Sequence, residues 1–142
     1  MKLREVADSD LDAFFSQQAD RQAYELADVP TRDRPAFDVH WARIRGDRQV
    51  VIRTIEVEGA VAGHVLSWKR DDGVRLVGYW LGREFWGRGI ASDALAAFLA
   101  IVRERPLQAT VAYGNQASMR VLEKSGFRRL REEPASIVFE LR

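Results

Sequence analysis

Apolar residues recur along the chain with two periods, and the switches between them mark out the elements. In "DSDLDAFFSQQAD", Leu11, Phe14 and Phe15 fall on one helical face. That spacing predicts a helix, with Asp8 or Ser9 at its N-cap. Phe37, Trp41 and Ile44 repeat the pattern in "AFDVHWARIRG", so a second helix should bury those side chains and close at Gly46. Before them "KLREV" alternates and reads as a short strand, and between them "VPTRDRP" is a connector rich in turn formers. Beyond Gly46 the period drops to that of a strand. "QVVIRTIEV" and "AVAGHVLSWKR" flank Glu58-Gly59 as the arms of a hairpin, and "VRLVGYWLG" follows the turn "DDG". These three strands predict an antiparallel meander.

The helical period then returns. Ala91, Leu95, Phe98, Leu99 and Val102 mark one face of an amphipathic helix expected from about Gly87 to Arg103, with Pro106 beyond its end. "LQATVAY" is short and β-branched, so strand, helix and strand imply a right-handed crossover between parallel strands. "NQASMRVLEKSGF" predicts another helix, with Asn115 as N-cap and Gly126 as its C-terminal glycine. "FRRLREE" and "SIVFELR" close as a hairpin through Pro134-Ala135. No repeat, low-complexity tract or linker interrupts residues 1–142, so one α+β domain with a mixed central sheet is expected.

Composition narrows the function classes. A formal net charge of +1 gives no global pull toward nucleic acid or an anionic membrane. Arg128, Arg129 and Arg131 would be divided between strand faces by alternation, which disfavours a nucleic-acid groove. No apolar run approaches the ~18 residues of a membrane span, and "MKLREVADSD" lacks the apolar core of a signal peptide. There are no cysteines, which removes disulfides, zinc-thiolate sites and a cysteine nucleophile. His40 and His64 lack metal-ligand spacing, so no metal site is expected. A cytoplasmic protein is the expectation.

The segment "WLGREFWGRGIAS", Trp80 to Ser92, carries the candidate chemistry. A helix that starts right after a strand presents unpaired backbone N–H groups and a partial positive charge, a natural anion site. Gly87 and Gly89 let the backbone approach a phosphate closely, and Arg88 adds a cation. Two nucleotide readings fail. Gly82 to Arg88 lacks the lysine of a P-loop, and Gly89 stands where that loop has Ser or Thr. Gly87 to Ser92 lacks the third glycine of a dinucleotide fingerprint, and the following strand ends "TVAYGN" without an acidic residue. Taken alone, the glycines also suit a turn that merely bends.

"WGRGIAS" followed by the pattern N-x-x-S-x-R-V-L-E-K-x-G-F resembles the GNAT superfamily of N-acetyltransferases, in particular the branch around the ribosomal-protein alanine acetyltransferases. The match is close from Gly78 to Phe127 and looser over "VEGAVAGHVLSW" and "FDVHWARI". The resemblance implies that the fourth and fifth strands are parallel and splayed, with helices on both faces of the sheet. It implies acetyl-CoA as acetyl donor, with its pantetheine arm between those strands. Backbone groups of Tyr79, Trp80 and Leu81 would meet the pantetheine. Those of Trp86, Gly87, Arg88, Gly89, Ile90, Ala91 and Ser92 would wrap the pyrophosphate. Glu84 stands where the superfamily usually has Gln or Arg, and its side chain is expected to point away.

Direct transfer to a primary amine of a small molecule or a peptide N-terminus needs a neutral amine, an oxyanion donor and a proton for the leaving thiolate. It needs no covalent intermediate. Many members of the superfamily supply that proton from a tyrosine at the position of Leu122. The branch resembled has a serine instead, here Ser118, whose hydroxyl either donates to sulfur or bonds only backbone or coenzyme. Asn115 caps its helix or touches coenzyme. Glu56, His64, Asp71, Asp72 and Tyr79 are open as bases, beside a water relay. Phe14, Tyr24, Phe37 and Trp41 are candidate walls of an acceptor pocket or core side chains. Asp28 or Asp33 is either solvated or pairs with a cationic acceptor. A degenerate acyl-CoA sensor is the alternative function, and a homodimer through the second or last strand is open.

Overall fold

The computed structural model describes residues 1–142. The order of elements is β1 (Lys2–Arg4), a 3-10 turn (Asp8–Asp10), α1 (Leu11–Ala19), α2 (Arg21–Ala27), α3 (Arg34–Arg45), β2 (Val51–Val57), β3 (Ala60–Lys69) and β4 (Arg75–Leu81). A second 3-10 turn (Arg83–Phe85), α4 (Ile90–Leu99), β5 (Leu107–Ala112), α5 (Gln116–Lys124), β6 (Arg128–Glu132) and β7 (Ser136–Leu141) follow. The strands form one seven-stranded sheet in the order β1-β2-β3-β4-β5-β7-β6. Only β4 and β5 pair in parallel. The expected α+β class, the meander and the crossover are all present. No helix is long and apolar enough to cross a membrane.

Two cores fix the layers. Ile90, Ala94, Leu95 and Phe98 of α4 and Met119 and Leu122 of α5 pack with Ile55, Val65, Val77 and Phe139 of the strands. Phe14 of α1 and Phe37 and Trp41 of α3 form a second cluster with Ile52. Ile52 and Ile55, an odd three positions apart on β2, thus face opposite clusters, so α1 and α3 cover one side of the sheet and α4 and α5 the other. Phe14, Phe37 and Trp41 are core side chains; Tyr24 is half-buried on α2.

Several local expectations are corrected. α2 is unexpected: it is only seven residues long, its apolar stripe is mostly alanine, and no side chain caps its start. Neither Asp8 nor Ser9 caps α1. Both lie inside the 3-10 turn, and Asp10 takes the Ala7 N–H at 2.9 Å. α4 starts at Ile90, since left-handed backbone at Gly87 and Gly89 (φ 72° and 76°) keeps the chain out of a helix until then. It ends at Leu99, although Val102 still packs in the core. Gly46 does close α3, as expected, but in right-handed backbone (φ −86°). β2 and β7 are both flanked by strands, so neither offers a free edge for dimer pairing; the open edges are β1 and β6.

The N-terminus is tied down by a partly buried ion cluster. Arg4 donates to both Asp10 oxygens at 2.8 and 2.9 Å and to Glu56 at 2.8 Å. Thr54, itself buried, donates to Asp10 at 2.8 Å. Burial alone would push the Asp10 carboxyl up. The bonds from Arg4, the Ala7 N–H and Thr54 outweigh it and hold the group at about 2, against 3.8 ordinarily. A depressed carboxyl adds stability that is full above its unfolded pKa and lost as pH falls through the folded one. Urea unfolding should therefore show a loss on the order of 2 kcal/mol between about pH 4 and pH 2. Asp10→Asn should lower stability at pH 7 and flatten that acid limb; an unchanged limb would assign it to other carboxylates.

Candidate functional site

The site begins where two strands part. β4 and β5 pair only at Arg75–Leu107 and Leu76–Gln108. Past Leu76, β4 stays with β3 as far as Leu81–Gly63, while β5 stays with β7 along its whole length. The facing edges of Val77–Leu81 and Ala109–Ala112 are left unpaired with each other. Unpaired strand edges present N–H and C=O groups that seek partners.

Specific contacts hold β4 in that position. β3 carries a bulge around Ala62, opposite Ile55 and Glu56, which bends and twists the strand. Gly63 then lies so close to β4 that a Cβ there would collide with the Trp80 carbonyl oxygen. The Gly82 N–H donates to the Ala62 carbonyl at 2.8 Å. The Trp80 indole donates to the Gln17 carbonyl of α1 at 3.0 Å, and the Trp86 indole returns to the Leu81 carbonyl at 2.9 Å. Arg83 pairs with Asp20 at 3.0 Å and donates to Gln22, fastening the loop after β4 to the start of α2.

Two adjoining cavities occupy the gap. The larger, about 380 Å³, runs from Tyr79, Trp80 and Leu81 past Trp86, Gly87, Gly89, Ile90, Ala91 and Ser92 to α5. Ala23, Leu26 and Ala27 of α2 roof it. The smaller, about 170 Å³, continues between Val77 and Gly78 of β4 and Ala109, Val111 and Ala112 of β5. Tyr79, Trp80, Asn115 and Ser118 line both. Gly89 is the left-handed N-cap of α4, no side chain caps that helix, and a Cβ on Gly87 or Gly89 would meet open space. The turn therefore offers bare amides to the larger cavity, and a phosphate fits such a cradle.

The structure brings together Tyr79, Trp80, Leu81, Trp86, Gly87, Gly89, Ile90, Ala91, Ser92, Asn115 and Ser118 around one space. Arg88 is not among the lining residues; its guanidinium lies over the Phe85 ring, 5.6 Å from the centroid. Glu84 faces a separate polar cleft with Ser16, Gln17 and Asp20, away from the glycine turn. Asn115 caps α5 through the Ser118 N–H at 3.3 Å. The Ser118 hydroxyl meets the Tyr79 phenol at 2.9 Å, across the gap between β4 and α5. Leu122 is core.

None of Glu56, His64, Asp71 and Asp72 reaches the cleft. Glu56 holds Arg4, and Asp72 holds Arg70 at 2.8 Å. His64 packs edge-on against Phe14 and Trp41, and burial pushes its pKa down to about 3. Asp33 caps α3 through the Ala36 N–H, and Asp28 is an exposed left-handed residue at the end of α2. Arg120 and Lys124 were not singled out by sequence, yet both line the larger cavity. Their signal was i,i+4 spacing on the helix that Asn115 caps, a face shared with Ala117 and Val121.

Comparisons with known proteins agree with this geometry. Residues 1–128 match the model of the acetyltransferase (GNAT) domain family. No curated protein matches the sequence. An acetyltransferase from Agrobacterium tumefaciens superposes with a TM-score of 0.81 at 19% identity, over 99% of this chain and 89% of that one. Spermidine N-acetyltransferase from Vibrio cholerae, solved with CoA and spermine, gives 0.80 at 14% identity, over 98% and 92%. A GNAT-family acetyltransferase from Bacillus anthracis gives 0.78 at 18% identity, over 97% and 90%. At these identities the superpositions speak for the fold.

The two cations beside the bare amides carry a direct consequence. Arg120→Ala with Lys124→Ala should weaken acetyl-CoA binding about tenfold, equal to ~1.4 kcal/mol, at low salt, with a smaller effect at high salt. Calorimetric titration at two ionic strengths checks this. Equal affinity of variant and parent at low salt would place the phosphates elsewhere.

Proposed function

Since the chain belongs to the acetyltransferase (GNAT) domain family, acyltransferases that use acetyl-CoA, we propose that it moves the acetyl group directly to a primary amine of a small molecule or a peptide N-terminus. The observation that carries this reading is the parting of β4 from β5 beside an uncapped, glycine-lined helix start. The chain has no cysteine to hold an acyl group, in keeping with single-step transfer. The Asn-x-x-Ser pattern at Asn115 and Ser118 supports a place beside the ribosomal-protein alanine acetyltransferases.

In this reading the amides from Trp86 to Ser92 hold the pyrophosphate, assisted by Arg120 and Lys124. The pantetheine amides bond the free edge of β4 at Tyr79, Trp80 and Leu81, as an added strand would. Arg88 contributes charge near the turn without lining it. Asn115 sets the start of α5 and so the position of Ser118. The Ser118 hydroxyl donates toward the thioester sulfur as the carbon–sulfur bond breaks. No carboxylate or imidazole lines either cavity, so the amine attacks from its own neutral fraction and its proton leaves through water.

The test is turnover with saturating acetyl-CoA and three probes: spermidine, an aminoglycoside and a tripeptide with a free amino terminus. Release of coenzyme A and a mass gain of one acetyl group on at least one probe are expected. The rate should climb with pH through the pKa of the amine that reacts. Tight binding of acetyl-CoA with no acetylated product would replace this reading by an acyl-CoA-binding module.

A further inference from the structure

The cleft contains one hydrogen-bonded pair of hydroxyls, apart from the separate hydroxyls of Ser92 and Thr110. Tyr79 Oη and Ser118 Oγ lie 2.9 Å apart, one on β4 and the other in the first turn of α5. Both side chains line both cavities. The remaining ionisable groups in the lining are Arg120 and Lys124, both on α5; α2, β4 and the glycine turn contribute none. The bond is the only side-chain hydrogen bond that crosses the gap. The Ser118 N–H is fixed by the Asn115 side chain at 3.3 Å, so the serine is held from its backbone and from its hydroxyl.

We propose that Tyr79 is the proton reservoir behind Ser118, a positioning residue that supplies by a two-hydroxyl relay what Leu122 cannot. This rests on the acetyltransferase reading above. The phenol donates to Ser118 Oγ, which turns the serine proton toward the thioester sulfur. Burial pushes the Tyr79 phenol up, and the Ser118 bond offsets this only in part, so the phenol is protonated at neutral pH. Its proton is thus available to the Ser118 oxygen 2.9 Å away. As the amine nitrogen bonds to the carbonyl carbon and the carbon–sulfur bond breaks, the serine proton passes to sulfur. The phenol proton passes to the serine oxygen. The phenolate then recovers a proton from water, which receives the one that the amine loses.

Tyr79→Phe, Ser118→Ala and the double variant test the relay, each beside the parent protein. Calorimetry should show acetyl-CoA affinity within about threefold of the parent. With an amine that the parent acetylates, each single variant should lose kcat by about 10²-fold with KM little changed. The double variant should be no slower than the slower single one, because the two groups act in series. Variants within twofold of the parent, or losses that multiply in the double variant, would overturn the relay.

A second measurement needs no acceptor. If the pair donates to sulfur, it stabilises the thiolate of bound coenzyme A. Affinity for coenzyme A relative to acetyl-CoA should then rise from pH 7 to pH 9 in the parent and rise less in Tyr79→Phe. The same rise in both would overturn the relay. A parent protein that binds both forms but acetylates no probe amine contradicts the acetyltransferase reading instead, and the pH comparison still decides the hydroxyl pair.

Discussion

The structure depends on a hydrogen-bond ladder that stops early. β4 and β5 hold each other at two register positions and then diverge. A parallel pair continued to its ends would have closed the sheet and left no site. Divergence leaves most of each strand's facing edge without a partner inside a well-packed domain, a condition that a folded chain tolerates only where water or a ligand can bond the free groups. An extended molecule bearing its own amides and a diphosphate at one end meets both requirements of the gap.

The surrounding elements keep the gap open. Gly63 lets β3 press against Trp80, and the bulge before it bends and twists β3 where it pairs with the end of β4. Trp80 and Trp86 lock the strand end to α1 and to the following loop through their indole N–H groups. Arg83, paired with Asp20, draws α2 over the cavity as a roof. On the far side, α4 and α5 share one hydrophobic core, so the bare amides of α4 and the polar face of α5 are set at a fixed spacing. Energy invested in apolar packing thus fixes the polar groups of the site.

Much of this was legible in the sequence because local chemistry dictated it. Glu58-Gly59 specified the first hairpin, and both residues take the positive φ that its turn demands. Asn115 and Gly126 marked the ends of α5, and Phe37 and Trp41 marked the buried face of α3. What escaped was non-local. α2, whose short stripe is mostly alanine, is held by contacts with α1 and the cleft, and Asp10 is held by an ion cluster assembled from β1 and β2. The role of Gly63 depends on a neighbouring strand, and the meeting of Tyr79 with Ser118 depends on the approach of β4 to α5. His64 shows the converse. Its ordinary pKa invited a catalytic reading that aromatic packing removes.

The central claim is that the amides after β4 and the free edge of β4 together receive acetyl-CoA. Backbone amide NMR during titration with acetyl-CoA tests it most directly. The account predicts large, saturable shifts at Tyr79–Leu81 and Gly87–Ser92, smaller ones at Asn115 and Ser118, and little change along β2 and α3. Saturable binding that leaves the amides of Gly87–Ser92 unmoved would contradict it.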